Sequence, residues 1–362
     1  MEADRPNEAL IIIEKMSAQK KKSEQAYLET MSEMRKMILA KKDRKAYEDC
    51  LRALFYMHTI DEFSSDQFAD IYHHRFPVMQ AASLTQQYVR RRRMKQIGNV
   101  PDRWLMYNKR AGERLAQMLG VRCLQTEYGF TLEQIPRREN IVVKPQNGTG
   151  SKGVFIVRGF DDIWSVDYAK QLHSWEEMIG LLRMDRQNGR FSSDEYEIQQ
   201  AVYENNATKT PARDLKFFAF YGEIAAVEEI VRTPQKGIWW WSPDGKRIEA
   251  DIGLDVPAYL KPHGFAPEMI EAACKLSLGI PAPFLRLDFL VGEDGLYFDE
   301  FCSMPGSSTI RSLEYASPRW NRIFGNMYLK AEMRIVNDLL EGKTFDEINE
   351  FNRIYDAKHK KK

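Results

Sequence analysis

The chain has 362 residues, 43% of them apolar, enough for more than one buried core, and two or three domains are the default at this length. Its 53 basic and 52 acidic residues nearly cancel, so the net balance supplies no general attraction to nucleic acid or to an anionic membrane. Cys50, Cys123, Cys274 and Cys302 lie far apart with no C-x-x-C pair, which argues against a disulfide framework and a zinc site and suits free thiols in a reducing compartment.

The opening MEADRPNEAL carries acidic residues where an export signal would need basic ones, and LIII is too short for a signal core. No stretch approaches the roughly 18 uninterrupted apolar residues that span a bilayer. We therefore expect a cytoplasmic protein with no membrane insertion and no nucleic-acid partner; the sequence leaves room for a homodimer. Residues 6 to 97 contain no Gly, are rich in Lys, Glu, Met, Leu and Ala, and show helical apolar spacing at Tyr27, Met31, Met34 and Ile38, so 1–103 reads as a helical region. The run Arg90 to Arg93 reads as a solvated helix face or a contact with an acidic neighbour. His73 and His74 are adjacent, and neither a helix nor a strand would aim both at one metal.

From about residue 104 the texture changes. WLMYNKRAGERLAQMLGV puts Leu115, Met118 and Leu119 on one helical face, with Gly120 ending the helix. Short apolar runs follow, IVVKP, GVFIV, YEIQQAVY, DLKFFAFYGEIAAVEEIV, PFLRLDFLV and GLYFDEF, with the β-branched and aromatic content of strands. The chain returns to helix from Asn326 to about Tyr355 and ends in a basic tail. These shifts suggest divisions at 104–203, 204–325 and 326–362.

Within KPQNGTGSKGVFIV, Gly148, Gly150 and Gly153 have the G-x-G-x-x-G spacing that lets backbone amides approach a phosphate. A dinucleotide fold needs a strand before the loop and a helix after it; here strands flank it on both sides. The P-loop pattern fails because Gly153 follows Lys152, and H-R-D and D-F-G, which a protein kinase would need, are absent. What remains is a glycine hairpin with Lys144 ending its first strand. Taken alone, it fits a phosphate cover and an ordinary turn equally well.

A second pattern lies in PFLRLDFLVGEDGLYFDEFCSMPGSS, which reads as a hairpin. Centred on Asp294, it sets Asp288 opposite Glu300 and Arg286 opposite Cys302. Strand alternation then gathers these four on one face, with Leu285, Leu287, Phe289, Val291, Tyr297 and Phe301 largely on the other. Two facing carboxylates repel unless a cation lies between them or one is protonated. Such oxygen ligands suit Mg2+, whose remaining positions phosphate and water can fill. The alternative is an exposed face with a simple Arg286 to carboxylate pair.

The ordered series YNKRAGERLAQMLG, VVKPQNGTGSKGV, EIQQAVYEN, DLKFF, RLDFL and YFDEFCSMPGSS resembles the ATP-grasp carboxylate-amine ligases, which include D-alanine:D-alanine ligase and glutathione synthetase. Within them it most resembles the TupA-like proteins of teichuronopeptide and surface-polysaccharide biosynthesis. The resemblance covers about residues 104 to 315. It implies an α+β fold in which two subdomains clamp ATP. It also implies that Lys109 and Lys144 hold ATP phosphates under a cover of Asn147, Gly148, Thr149, Gly150, Ser151 and Gly153. Gln199, Gln200, Ala201 and Val202 would form the adenine hinge, with Glu204 on the ribose. Lys216 would meet the terminal phosphate, Asp288 and Glu300 would bind Mg2+, and Arg286 would stabilise an acyl phosphate. Pro305, Gly306, Ser307 and Ser308 would face the acceptor, or form a plain polar loop.

Two departures stand out. Many members carry Asn where Cys302 stands, and a thiol suits a hard cation poorly. The helical N-terminal region replaces the usual alternating α/β lobe. The implied reaction joins an amine, such as an amino acid, to a carboxylate, such as a uronic acid of a surface glycan or its nucleotide-sugar precursor. A small-molecule kinase or a non-catalytic nucleotide-binding protein would use the same nucleotide site. Trp239, Trp240 and Trp241 would stack on a sugar or cover a hairpin. Cys302 has no histidine near it in sequence, which argues against a nucleophile.

Overall fold

The computed structural model describes residues 5–40, 43–57, 65, 66, 69, 83–98, 109–146, 150–191, 194–233, 235–248, 259–305 and 318–359. His73 and His74 lie outside them. The chain divides into two compact units, one of Met1–Gln86 with Pro318–Asn326 and the other of Gln87–Ser317 with Met327–Lys362. In the first, helices α1 (Arg5–Ala40) and α2 (Arg44–Met57) pack together and bury Met31 and Tyr47. Leu10, Ile11, Ile12 and Ile13 on α1 are exposed. The next helix, α3 (Leu84–Gln96), opens on a capping box: Gln86 N–H donates to Ser83 Oγ at 3.1 Å, and Ser83 N–H donates back to Gln86 Oε1 at 3.2 Å. No helix among the described residues is long and apolar enough to cross a membrane.

The second unit carries both large sheets. Helix α4 (Lys109–Met118) has apolar positions at helical spacing and buries Ala111, Leu115 and Ala116. After it come β1 (Thr126–Phe130), β2 (Ile141–Pro145), β3 (Phe155–Gly159), β4 (Asp162–Ser165), β5 (Lys170–Leu172), helix α5 (Trp175–Gln187) and β6 (Tyr196–Gln200). They form an antiparallel sheet in the order β1-β6-β2-β3-β4-β5. Val143, Phe155, Val157 and Ile163 point from it toward Met178 and Leu182 of α5, forming one core. Ser174 caps α5 by accepting Glu177 N–H at 3.1 Å. The glycine segment joins β2 to β3 as a hairpin, as its flanking apolar runs predict.

A short ribbon of β7 (Tyr203–Asn205) and β8 (Thr210–Pro211) leads into the second sheet. Its strands are β9 (Arg213–Phe220), β10 (Glu223–Val231), β11 (Gly237–Trp241), β12 (Arg247–Ile248), β13 (Leu285–Gly292) and β14 (Gly295–Cys302), in the order β12-β11-β10-β9-β13-β14. Helix α6 (Pro267–Leu278) packs on β9 and β10, while α4 packs on β14. The expected C-terminal helix is two helices, α7 (Pro318–Leu340) and α8 (Asp346–His359), separated by a turn at Glu341 and Gly342.

β9 and β10 come from one apolar run, DLKFFAFYGEIAAVEEIV, and Tyr221-Gly222 divides it. Both turn residues have positive φ, 45° and 85°, the backbone that closes a two-residue hairpin with the twist of its strands. A Cβ on Gly222 would stand 2.6 Å from Leu278 on α6, so this turn requires both the conformation and the absence of a side chain. Gly222→Ala is expected to cost about 2 to 3 kcal/mol, from backbone strain plus overpacking. Denaturant unfolding would show a lower midpoint at an unchanged slope.

Candidate functional site

In the second sheet β9 lies between β10 and β13, and β13 lies between β9 and β14. The registers align Glu228, Lys216, Asp288 and Glu300 in a row across four strands. Alternation sends Leu215, Phe217, Leu287 and Phe289 to the opposite, apolar face, where all are buried. Asp288 faces Glu300 and Arg286 faces Cys302, as the hairpin reading predicts, but the route differs. The turn is tighter than expected, with Gly292 opposite Gly295, and the register shifts between Asp288 and Phe289. One extra residue, Asp299, takes up the difference as a β-bulge. Between turn and bulge the pairing is therefore displaced by one, and Tyr297 pairs with Leu290. This corrects its expected place on the apolar face, since Leu290 alternates onto the face of Asp288.

Cations hold the facing acids together. Asp288 is 1% exposed. Lys216 Nζ donates to its Oδ2 at 2.6 Å, and Arg286 donates to both oxygens at 2.7 Å. Arg286 also donates to the Pro305 carbonyl at 2.9 Å and lies 3.7 Å from Glu300 Oε1. Burial presses the Asp288 carboxyl upward, but Lys216 and Arg286 outweigh it and hold the group well below the usual carboxylate range. Glu300 goes the other way: burial, then the charges of Asp288 and Asp299, raise it. Lys109, the first described residue of α4, stands 3.9 Å from Glu300.

Lys144 ends β2 in a second cluster. Its Nζ meets Gln199 Oε1 at 3.0 Å, Glu197 Oε1 at 3.1 Å and Asp299 Oδ1 at 3.6 Å. Burial would lower the ammonium's pKa, yet Asp299 and Glu197 raise it overall, so the charge is kept. Asp299 thus ties the glycine-hairpin sheet to the acid row. Asn147, Gly148 and Thr149 lie outside the described residues; Gly150, Ser151 and Gly153 lie in the turn before β3. Ser151 Oγ accepts from Arg232 Nη1 at 2.9 Å, and Arg232 grips Asp214 through two further bonds of 2.7 and 3.0 Å.

At the expected hinge, Gln200 N–H donates to Gln125 and Ala201 N–H to Asn140, while the Val202 carbonyl accepts Ala212 N–H. Gln199 turns toward Lys144. Glu204 is engaged by Arg213 and lies 3.1 Å from His263 Nδ1. Pro305 touches Arg286; Gly306, Ser307 and Ser308 lie outside the described residues. Trp239 and Trp240 are buried strand residues, and the Trp240 ring lies 5.0 Å from that of Phe218. This favours the covering role over a sugar platform. Burial raises the Cys302 thiol, which keeps it protonated and unreactive.

Sequence reasoning missed Glu197, Asp214, Glu228, Arg232 and Asp299. Asp299 has no period-2 signal because a bulge breaks the period. Glu228 and Glu229 are adjacent, so alternation shows that they face opposite ways without showing which enters the site. Among the described residues no group of three or more His, Cys, Asp or Glu side chains encloses a metal alone. Two carboxylates do fit Mg2+ when phosphate oxygens complete its shell. The facing carboxylates of Asp288 and Glu300 are the hard oxygen donors that would hold such an ion.

The model of a family described as TupA-like ATPgrasp matches residues 90–327, well over half of the chain. The chain belongs to the TupA-like ATP-grasp family. Its fold is accordingly the ATP-grasp fold, preceded by helices. No curated protein matches the sequence. Among solved structures, D-alanine–D-alanine ligase from Bacillus anthracis is 16% identical with a TM-score of 0.39, over 68% of this chain and 76% of that one. An L-amino acid ligase from Bacillus licheniformis is 14% identical with a TM-score of 0.35, over 61% and 47%. These likenesses are too distant to transfer a substrate to this TupA-like protein.

Asp288→Asn would leave Lys216 and Arg286 buried without their shared counter-charge, at an expected cost of about 3 to 5 kcal/mol at neutral pH. The folded carboxyl is depressed, so its stabilisation is full above the unfolded value of about 3.9 and fades as pH falls through the folded value. Equilibrium unfolding of both proteins should show the gap between wild type and variant closing only below about pH 4.

Proposed function

We propose that this TupA-like protein is an ATP- and Mg2+-dependent ligase that joins an amine to a carboxylate through an acyl phosphate. The supporting observation is the Lys216-Asp288-Glu300 row with Arg286 beside it, inside an ATP-grasp family match. We take 104–203 and 204–325 as the two subdomains that close on the nucleotide. The proposed carboxylate is a uronic acid of a surface polysaccharide or its nucleotide-sugar precursor. The amine is an amino acid or a simpler amine, and the compartment is the cytoplasm.

A carboxylate resists amines because its carbon is shielded by delocalised charge and oxide cannot leave. Transfer of the γ-phosphoryl group to one carboxylate oxygen gives an acyl phosphate, a mixed anhydride from which phosphate can leave, and releases ADP. Attack by the amine forms the C–N bond, breaks the C–O bond to phosphate, and yields amide, phosphate and a proton. Positioning and charge neutralisation account for most of such catalysis. Asp288 and Glu300 would hold Mg2+, which neutralises phosphate oxygens when bound. Lys216 and Arg286, which pair with Asp288, would contact the transferring phosphoryl group and the acyl oxygen respectively. Lys109, beside Glu300, and Lys144, beside Asp299, would supply further positive charge, and the Ser151 hairpin would cover the reactants against water.

A screen of carboxylates crossed with amines, read by ADP release and product mass, tests this. ADP should appear only when both partners are present; AMP and pyrophosphate would overturn the acyl-phosphate route. Glu300→Gln and Arg286→Met should each lower turnover by on the order of 10²- to 10³-fold.

A further inference from the structure

Glu228 and Glu229 are neighbours on β10 with opposite fates. Glu229 is fully buried and its carboxylate is satisfied: it accepts Trp241 Nε1–H at 2.9 Å, His263 N–H at 2.8 Å and Gly264 N–H at 3.0 Å, with Arg213 Nε at 3.1 Å. Glu228 points the other way, to the face of the acid row, and is 9% exposed. No described residue hydrogen-bonds to it or forms an ion pair with it. Lys216 is directly across the ladder, but its ammonium is committed to Asp288. Trp240 flanks Glu228 on the other side as a buried apolar wall. A carboxylate buried this far without a partner is costly unless something else completes it.

Resting on the ligase reading, the charge balance says what that is. Triphosphate, carboxylate and developing oxyanion are all anionic, and Lys109, Lys144, Lys216 and Arg286 answer them. The amine is the one reactant that arrives as a cation, since an alkylamine is protonated at neutral pH. We infer that Glu228 is the specificity residue for the amine, binding its ammonium group against Trp240 on the side of Lys216 away from the metal carboxylates. Burial raises the Glu228 pKa, with Lys216 and Arg286 opposing and Asp288 and Asp214 adding to the rise. Glu228 is two strands from Asp288, with Lys216 between, so it is not a third ligand for the same metal.

The test uses the full chain with Mg2+ and a non-hydrolysable ATP analogue, titrated calorimetrically with methylamine, ethanolamine and the twenty standard amino acids. Wild type should bind at least one amine, and Glu228→Gln should weaken that binding by about 30-fold or more, as for loss of one partner of a buried charge pair. Affinity for the ATP analogue should be unchanged and the melting temperature of the nucleotide-free protein should not fall. Glu228→Asp, which keeps the charge, should recover part of the amine affinity and guards against a folding defect in the first variant. Equal amine affinity in wild type and Glu228→Gln, or no amine bound by wild type, would overturn the inference. So would a weakened nucleotide affinity with amine binding intact, which would make Glu228 a positioning partner of Lys216. Absence of ADP release from wild type across the substrate screen would defeat the ligase reading separately, because the titration needs no turnover.

Discussion

The second sheet is organised around the cost of burying Asp288. A carboxylate at that depth survives only if positive charge surrounds it, and the ladder supplies Lys216 from one neighbouring strand and Arg286 from two residues along its own. Lys216 and Arg286 are thus held in an internal salt bridge with Asp288 instead of lying in solvent, where they would be screened and mobile.

Around that centre two sheets contribute unequal parts. The glycine-hairpin sheet carries Lys144, whose charge is maintained by Glu197 and Asp299, and Ser151, which reaches Arg232. The second sheet carries the acid row. Asp299, through Lys144, and Arg232, through Ser151, connect the two. Glu229 is satisfied locally, whereas no described residue hydrogen-bonds to or ion-pairs with Glu228 on the face of the acid row.

Much of this was legible in the sequence. The strand runs, the glycine hairpin and the pairing of Asp288 with Glu300 follow from period-2 patterning and turn residues. The pairing emerged although the turn is one residue tighter than supposed, because the bulge at Asp299 compensates. Patterning cannot locate a bulge, since a bulge is where the pattern stops, and Asp299 was hidden for that reason. Lys144 was legible as a strand-ending lysine, but its partners Glu197 and Gln199 come from β6, more than fifty residues later, and only tertiary pairing brings them together. The division of the C-terminal segment into two helices was likewise hidden, its turn carrying little besides Gly342 to mark it.

The bulge also separates two kinds of variation that would otherwise be tied together. Because the unpaired residue lies between the hairpin tip and the acids, a relative could lengthen its tip by one, straighten the strand, and still present the same two carboxylates to each other. Counting outward from the tip would then misassign every side chain on that strand, whereas counting inward from the acids would not. Homologues of this chain are better matched from the R-x-D and D-E pairs than from the loop that joins them.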